Sequence, residues 1–294
     1  MVFSHRISKA LPALAFFLAA SSAHAQVAAI DPARHADLAD QIIAEFGTRQ
    51  DINKYTKVDG TSMTLVAGIG GVTQSFNHSV CAPFVTNLVK LANGMTGTDF
   101  KAALATPLSS PDSSEYYDLI VRGKVDGKGF NRVVRALDIR RGDVVAMTYE
   151  ACGASSGGSG HTMIAMSAPR LRVSTGAKVG GVSNTMVPGT VQYEIDVADS
   201  SSSPHGTVTN NVVFNDTRNT FVEQTDSRGR KKWVELEDPK DSTDVNERSG
   251  AGRGILRIYA DEVTGEIRGY TWSVSTGSDY YATDSCRRIA VGRF

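Results

Sequence analysis

Long apolar runs are missing from this chain after its first 25 residues, and an excess of charge of either sign is missing throughout. No later stretch is long enough to form a membrane helix. Lysine and arginine total 31, the same number as aspartate and glutamate, so the net charge gives no indication of nucleic-acid binding. A hydrophobic fraction of 41% is typical of a folded globular protein and argues against a disordered one.

Cysteine is also scarce, with only Cys81, Cys152 and Cys286 in the chain. Exported proteins commonly pair their cysteines, and an odd number leaves one thiol free or pairs it between chains. We expect Cys152 to pair with Cys286 and Cys81 to remain free. A different pairing, or three free thiols, is equally compatible with the sequence.

The first 25 residues have the pattern of a secretory signal peptide. A basic start is followed by a short apolar stretch at residues 11–20, and Ala23 and Ala25 are small residues at both cleavage-site positions. We therefore expect residues 26–294 to be exported, to the periplasm or to the medium, as one domain.

Cys81 lies in the first turn of a predicted helix that runs to about residue 92. Ser79 is the expected N-cap and Pro83 fits the first turn, where a missing N–H costs nothing. Apolar residues recur at helical spacing at Phe84, Val85, Leu88, Val89 and Leu91. The helix dipole then favours the thiolate of Cys81, which is the nucleophilic form. The alternative is a buried structural thiol, since free cysteine is among the most buried residue types.

A histidine and an acid follow Cys81 in an order that suits thiol chemistry. His161 comes after a glycine-rich loop and opens a predicted strand, and Asp199 ends the next predicted strand. The imidazole would take the thiol proton and later protonate a leaving amine, while the acid would orient the imidazole. Asp196 is the rival acid, although strand alternation places it on the polar face and Asp199 on the apolar face.

Three other histidines compete with His161 for the role of base. His35 is expected to be a solvated residue of an N-terminal helix. His78 precedes Cys81 by three residues and suits a loop or a supporting role. His205 follows a serine-rich turn, where it would order the loop or line the cleft.

An oxyanion hole requires two donors near the attacked carbon. We expect one to be the backbone N–H of Cys81 and the other to be Gln74 or Asn77. The glycines at residues 68–71 lack the lysine and the context of a phosphate-binding loop. No group of residues has metal-ligand spacing, and no cofactor is expected.

Helical patterns dominate the first half of the chain and strand patterns the second. Helices are predicted over residues 31–46, 79–92, 99–104 and 116–121, and strands over residues 143–147, 161–166, 191–197, 255–259, 266–274 and 288–294. Residues 207–254 are polar and charged, and we interpret them as a surface insertion. Helices followed by strands predict an α+β fold.

These features resemble the NlpC-type and CHAP-type cell-wall hydrolases, which are branches of the papain-like superfamily. The resemblance rests on the helix-borne Cys81, the Arg-Arg-Gly-Asp-Val-Val segment at residues 140–145 and the strand that opens with Gly160-His161. It covers residues 70–205 well and residues 255–294 loosely. It implies helices packed on an antiparallel sheet and a cysteine amidase or peptidase that cleaves amide bonds of peptidoglycan peptides through a Cys81 thioester.

Two other functions use the same residues. The chain could be an inactive secreted module that binds or supports the cell wall, or a transglutaminase-like acyl transferase. Inactive relatives often lose the nucleophile or the base, and both are present here, which favours an enzyme.

The exported protein should begin at Gln26, because small residues occupy both cleavage-site positions after a short apolar core. N-terminal sequencing of protein recovered from the periplasm or the medium tests this expectation. Exported protein that retains residues 1–25 would contradict it.

Overall fold

The structure, a computed structural model, describes residues 30–46, 49, 51–152, 158–209, 212–218, 221–235 and 249–294. The predicted signal peptide at residues 1–25 lies outside these ranges. The helices within them are α1 Pro32–Phe46, α2 Cys81–Asn93, α3 Gly97–Leu104 and α4 Ser113–Arg122. Among the described residues, no helix combines the length and the apolar character needed to cross a bilayer.

The strands in the first part of the chain are β1 Asn53–Lys54, β2 Met63–Leu65, β3 Phe76–His78, β4 Asn131–Val133, β5 Val144–Thr148, β6 Gly160–Ala165, β7 Arg170–Arg172, β8 Ala177–Val179 and β9 Val182–Thr185. The remaining strands are β10 Thr190–Ser201, β11 Thr207–Thr209, β12 Val212–Phe214, β13 Phe221–Thr225, β14 Lys231–Glu235, β15 Gly250–Asp261, β16 Ile267–Thr271, β17 Tyr281–Ala282 and β18 Arg288–Arg293. Short 3-10 turns lie at Ala136–Asp138 and Glu150–Cys152.

One antiparallel sheet organises the described residues. Its strand order is β17-β16-β15-β10-β6-β5-β18-β4, with β7 also paired to β10. The long strands β10 and β15 pair over their full length, from Thr190 opposite Asp261 to Ser201 opposite Gly250. A small sheet, β1-β3-β2, and three two-stranded ribbons accompany it. The centre of the large sheet is therefore the place where β6, β10 and β15 lie side by side.

The prediction of an α+β fold with papain-like helices packed on an antiparallel sheet is wrong. The structure is rich in β-strands, with 38% strand against 22% helix, and its several sheets are mostly antiparallel. The error arose because many strands after residue 168 are short and polar. The residues of β9, for example, are mostly exposed and show no apolar alternation, which is the pattern that reveals a strand in a sequence.

The predicted insertion at residues 207–254 contributes to the interior as well as to the surface. Its described part contains β11 to β14 and the start of β15. Asp216 and Arg218, between two of the ribbons, are 1% and 7% exposed. The polar composition of this segment predicted a surface position, because charged residues are almost never fully buried unless they are paired. The pairing of Asp216 with Arg218 is not visible in the sequence.

Several predicted helix boundaries are confirmed. Helix α1 begins at Pro32, and the Asp31 carboxylate accepts a hydrogen bond from the Ala33 N–H at 3.0 Å. Gly94 ends α2 in the left-handed conformation. The predicted N-cap is wrong, because Val80 rather than Ser79 precedes the first helical residue and no side chain caps the helix. The Ser79 hydroxyl instead donates to the Val80 carbonyl at 3.2 Å.

Two buried apolar clusters lie on opposite faces of the sheet. Val144 and Ala146 of β5 belong to one cluster, and Val145 and Met147 belong to the other. Successive side chains of a strand point to opposite faces, which explains this division. The first cluster also contains side chains of α1, α2 and α4, so packing holds the start of α2 close to β6.

A disulfide joins Cys152 to Cys286, with Cα atoms 4.8 Å apart, and Cys81 is free. This confirms the predicted pairing. The bond connects the turn that follows β5 to the segment that precedes β18, across 134 positions of sequence. It therefore fastens the chain shortly before β6, the strand that carries His161.

Gly160→Ala should destabilise the fold by about 2 kcal/mol or more, because a φ of +145° is strained for any residue with a Cβ. A Cβ at this position would also lie 1.8 Å from the Met147 carbonyl oxygen. Urea unfolding measures the loss of stability. Gly158→Ala is the matched control, because nothing lies within 4 Å of a Cβ built there. Equal midpoints for the two variants would contradict the prediction.

Candidate active site

Cys81 is the first residue of α2 and lies at the wall of a cleft. The cleft has a volume of about 760 Å³, and its lining includes Tyr55, Cys81, Ser113 and Gly160. The thiol lies 3.5 Å from the Ser113 hydroxyl, which accepts a hydrogen bond from Thr162 at 2.9 Å. The residue is 6% exposed, so its sulfur is shielded from bulk water but borders the cleft.

His161 and Asp199 form a buried hydrogen bond. The His161 Nε2 lies 2.5 Å from Asp199 Oδ2, and the two residues are 8% and 0% exposed. Antiparallel pairing of β6 with β10 brings the start of one strand to the end of the other, which places these residues together. An ionised carboxylate only accepts, so Nε2 carries a proton and Nδ1 remains available for the thiol proton.

The Cys81 thiol and the His161 imidazole shift each other's pKa values. Burial raises the pKa of Cys81, but the charge of His161 and hydrogen bonds from His161 and Ser113 lower it to about 7. Burial lowers the pKa of His161, but the charge of the Cys81 thiolate and the hydrogen bond to Asp199 raise it to about 10. Between these two values the pair is a thiolate beside an imidazolium, which is the reactive form of a cysteine nucleophile.

Asp199 is held by three donors from three parts of the chain. Besides His161, it accepts from His205 Nε2 at 2.8 Å and from Arg218 Nη2 at 2.9 Å. Burial raises the pKa of Asp199, but the charges of Arg218 and His205 hold it well below its usual range. Arg218 also binds both oxygens of Asp216, at 2.9 and 2.8 Å. The acid therefore stays ionised despite complete burial.

Two aromatic residues that the sequence did not point to complete the surroundings. The Trp272 ring lies 5.2 Å from the His161 ring, edge to face, and stacks 5.6 Å from the His205 ring. It covers the histidines that bind Asp199. Tyr55 lines the same cleft as Cys81. Burial and the charge of Cys81 raise the pKa of Tyr55, so its phenol is a donor at neutral pH.

The structure brings Cys81, His161 and Asp199 together but does not bring Gln74 or Asn77 to the thiol. Asn77 is fully buried, and its amide donates to Asn53 at 3.1 Å and to Ser200 at 3.4 Å. Gln74 is exposed, with its side-chain amide beside the Arg49 guanidinium. Neither lines the cleft that contains Cys81.

The rival residues lie in different surroundings. His35 is fully buried, which contradicts its predicted surface position, and its Nε2 bonds to the Gly142 carbonyl at 2.8 Å. The His78 ring lies tilted against the Phe76 ring in β3, with ring centroids 4.1 Å apart. Asp196 pairs with Arg170 at 2.8 Å, outside the cluster. Only His205 joins the site, through Asp199 rather than through the thiol.

His161, Asp199 and His205 also form a group with the chemistry of a metal site. Their potential ligand atoms lie within 4.8 Å of one another. Both imidazoles, however, lie at hydrogen-bond distance from one carboxylate oxygen, and Arg218 occupies the other oxygen. A guanidinium in this position repels a second cation, so these residues fit a hydrogen-bonded cluster better than a metal centre.

Alkylation of Cys81 by iodoacetamide should rise with pH through a midpoint near 7, because the thiolate is the reacting form. The unfolded chain is the reference, with an expected midpoint at about 8.5 for an ordinary thiol. Peptide mapping confirms the modified residue, and His161→Ala should move the midpoint towards that of the unfolded chain. A native midpoint equal to the unfolded one would contradict the ion pair.

No protein-family model, curated protein or solved structure matches the chain. The resemblance to papain-like cell-wall hydrolases therefore stays a prediction drawn from the Cys81 helix, the segment at residues 140–145 and the Gly160-His161 strand.

Proposed function

We propose that this protein is an exported cysteine hydrolase that cleaves amide bonds through a thioester at Cys81. The observation that carries the proposal is the buried His161–Asp199 hydrogen bond beside a Cys81 thiol whose pKa His161 lowers. A thiol with a lowered pKa, a histidine with a raised pKa and an orienting acid are the parts that amide cleavage by cysteine requires.

In the acylation step, the Cys81 thiolate attacks the amide carbon and forms a carbon–sulfur bond. The electrons of the carbonyl move to oxygen and form an oxyanion. The carbon–nitrogen bond then breaks, the His161 imidazolium gives its proton to the leaving nitrogen, and an amine departs. Asp199 supports His161 in both protonation states, because its hydrogen bond fixes the orientation of the ring.

In the deacylation step, neutral His161 takes a proton from water, and the resulting hydroxide attacks the thioester carbon. The carbon–sulfur bond breaks, and the thiolate and imidazolium are restored with release of a carboxylic acid. No redox partner is needed, because the net reaction adds one water to one amide bond.

The oxyanion would be stabilised from the start of α2 and from Tyr55. The first N–H groups of a helix have no intrahelical acceptor, and Cys81 is the first residue of α2. Tyr55 lines the same cleft as Cys81, and its raised pKa keeps the phenol protonated, so it can donate a hydrogen bond to the oxyanion. Tyr55 thus takes the role that sequence reasoning gave to Gln74 or Asn77.

Peptidoglycan peptides are the proposed substrates, and the periplasm or the medium is the proposed location. The substrate class is implied by the resemblance to cell-wall hydrolases, and a cleft of about 760 Å³ has room for a short peptide. The location rests on the signal-like first 25 residues. The Cys152–Cys286 disulfide is compatible with an oxidising compartment.

The acyl-transferase alternative shares the thioester and differs only in the acceptor. Adding a primary amine to the assay separates the two reactions, because a transferase yields the amide of the added amine and a hydrolase yields the free acid. An inactive binding module yields neither product.

Cys81→Ala and His161→Ala should each remove nearly all turnover of peptidoglycan fragments, and the double variant should lose little more, because the groups act as a unit. Asp199→Asn should cost about 10²-fold or more, because it disturbs the orientation and tautomer of His161. Mass analysis of the products and initial rates measure these effects, with circular dichroism to verify folding.

Asp196→Asn is the matched control, because Asp196 lies in the same strand and pairs with Arg170 outside the cluster. Its rate should remain close to that of the unchanged protein. Activity that survives in a folded His161→Ala variant would contradict the assignment. Activity that disappears with a chelator would favour the metal arrangement of His161, Asp199 and His205.

A further inference from the structure

The strand beside Asp199 lacks side chains at the positions that face the acid. Gly252 lies directly opposite Asp199 in the β10–β15 register, and Gly254 lies two residues along the same strand. A Cβ at Gly252 would lie 2.4 Å from Arg218 Nε, and a Cβ at Gly254 would lie 2.4 Å from Asp216 Oδ2. The two glycines therefore leave a groove in the sheet that Arg218 and Asp216 fill.

Arg218 bridges two buried carboxylates in this groove. Its Nη2 lies 2.9 Å from Asp199 Oδ1 and 2.8 Å from Asp216 Oδ2, and its Nε lies 2.9 Å from Asp216 Oδ1. Its Nη1 donates to the Gly250 carbonyl at 3.1 Å. The planar guanidinium suits such a fork, whereas a lysine ammonium is a single point of charge. Arg218 thus brings its positive charge to Asp199 from a segment outside β10 and β15.

We propose that Arg218 is a positioning residue of the active site, which acts through Asp199 to hold the Cys81–His161 pair in its charged form. His205, Asp216 and Arg218 are then part of the active-site cluster rather than of the surface. This inference rests on the proposed function, because it concerns the reactivity of the same thiol.

The effect is electrostatic and passes along the hydrogen bonds of the cluster. A buried carboxylate without a cationic partner tends to take up a proton, because desolvation penalises its charge. A neutral Asp199 would stabilise the His161 imidazolium less and so lower the pKa of His161. His161 would then be protonated less often and would stabilise the Cys81 thiolate less. Arg218 also sets the oxygen that remains for His161, because it binds Oδ1 and leaves Oδ2 to the imidazoles.

The test is the pH dependence of Cys81 alkylation by iodoacetamide in the full chain. Arg218→Gln should raise the midpoint by about one pH unit and slow alkylation at pH 7 by about fivefold. The effect is modest because Arg218 acts on Cys81 only through Asp199 and His161. Arg218→Lys keeps the charge without the fork, so its midpoint should lie between those of the unchanged protein and Arg218→Gln. Arg170→Gln removes an arginine from an exposed pair with Asp196 and should leave the midpoint unchanged.

A folded Arg218→Gln variant with an unchanged midpoint overturns the inference, and so does an Arg218→Lys midpoint no lower than that of Arg218→Gln. If Arg218→Gln does not fold, Arg218→Lys decides, because it keeps a charge in the groove but loses the fork that binds both Asp199 and Asp216. Its midpoint should then lie above that of the unchanged protein. An unchanged midpoint in a folded Arg218→Lys variant contradicts the role of Arg218.

Alkylation requires no substrate, which separates this inference from the proposed function. An ordinary thiol midpoint in the unchanged protein contradicts the activated nucleophile itself. A low midpoint that stays the same in the Arg218 variants contradicts only the positioning role. A low midpoint that responds to Arg218, together with no turnover of any amide, supports the positioning role and contradicts the hydrolase.

Discussion

The buried negative charge of Asp199 constrains the centre of this protein. Asp199 is completely inaccessible to water, yet the charge of Arg218 and the bonds from two histidines keep it ionised. Removing one partner of a buried ion pair costs about 3–5 kcal/mol, because the remaining charge has no water to solvate it. The arrangement of β6, β10 and the segment around Arg218 is therefore constrained by the need to surround this carboxylate with donors.

The long strand pair β10–β15 makes such a cluster possible. Asp199 lies near the end of β10, where β15 has glycine opposite it, so the neighbouring strand leaves room instead of covering the acid. On the other side, β6 begins with Gly160, whose positive φ allows a close approach to the Met147 carbonyl just before His161. Glycines thus leave room for Arg218 beside Asp199 and allow the close approach of β5 to the start of the strand that carries His161.

Opposing effects of different origin set the pKa of the Cys81 thiol. Burial among the apolar residues around α2 disfavours the Cys81 thiolate, whereas His161, Ser113 and the start of the helix favour it. The net shift is towards the thiolate, to a pKa of about 7. A shift of one pKa unit corresponds to about 1.4 kcal/mol. The net effect on the Cys81 pKa is therefore small compared with the opposing effects of burial and charge that produce it. The pKa of Cys81 is therefore sensitive to small changes in the charges and hydrogen bonds around the sulfur.

Sequence alone placed Cys81 at the start of a helix and His161 and Asp199 on strands, and it predicted several helix boundaries. These signals are local, because caps, periodicity and strand alternation extend over a few residues. The Cys152–Cys286 pairing was one of several that the sequence allowed, and the tertiary structure decided it. Tertiary structure decided the β-rich fold, the burial of His35, and the entry of Tyr55, Trp272, His205 and Arg218 into the site. These residues meet through strand register and side-chain packing between distant segments, and a polar segment gives no local sign that it will be buried beside an acid of opposite charge.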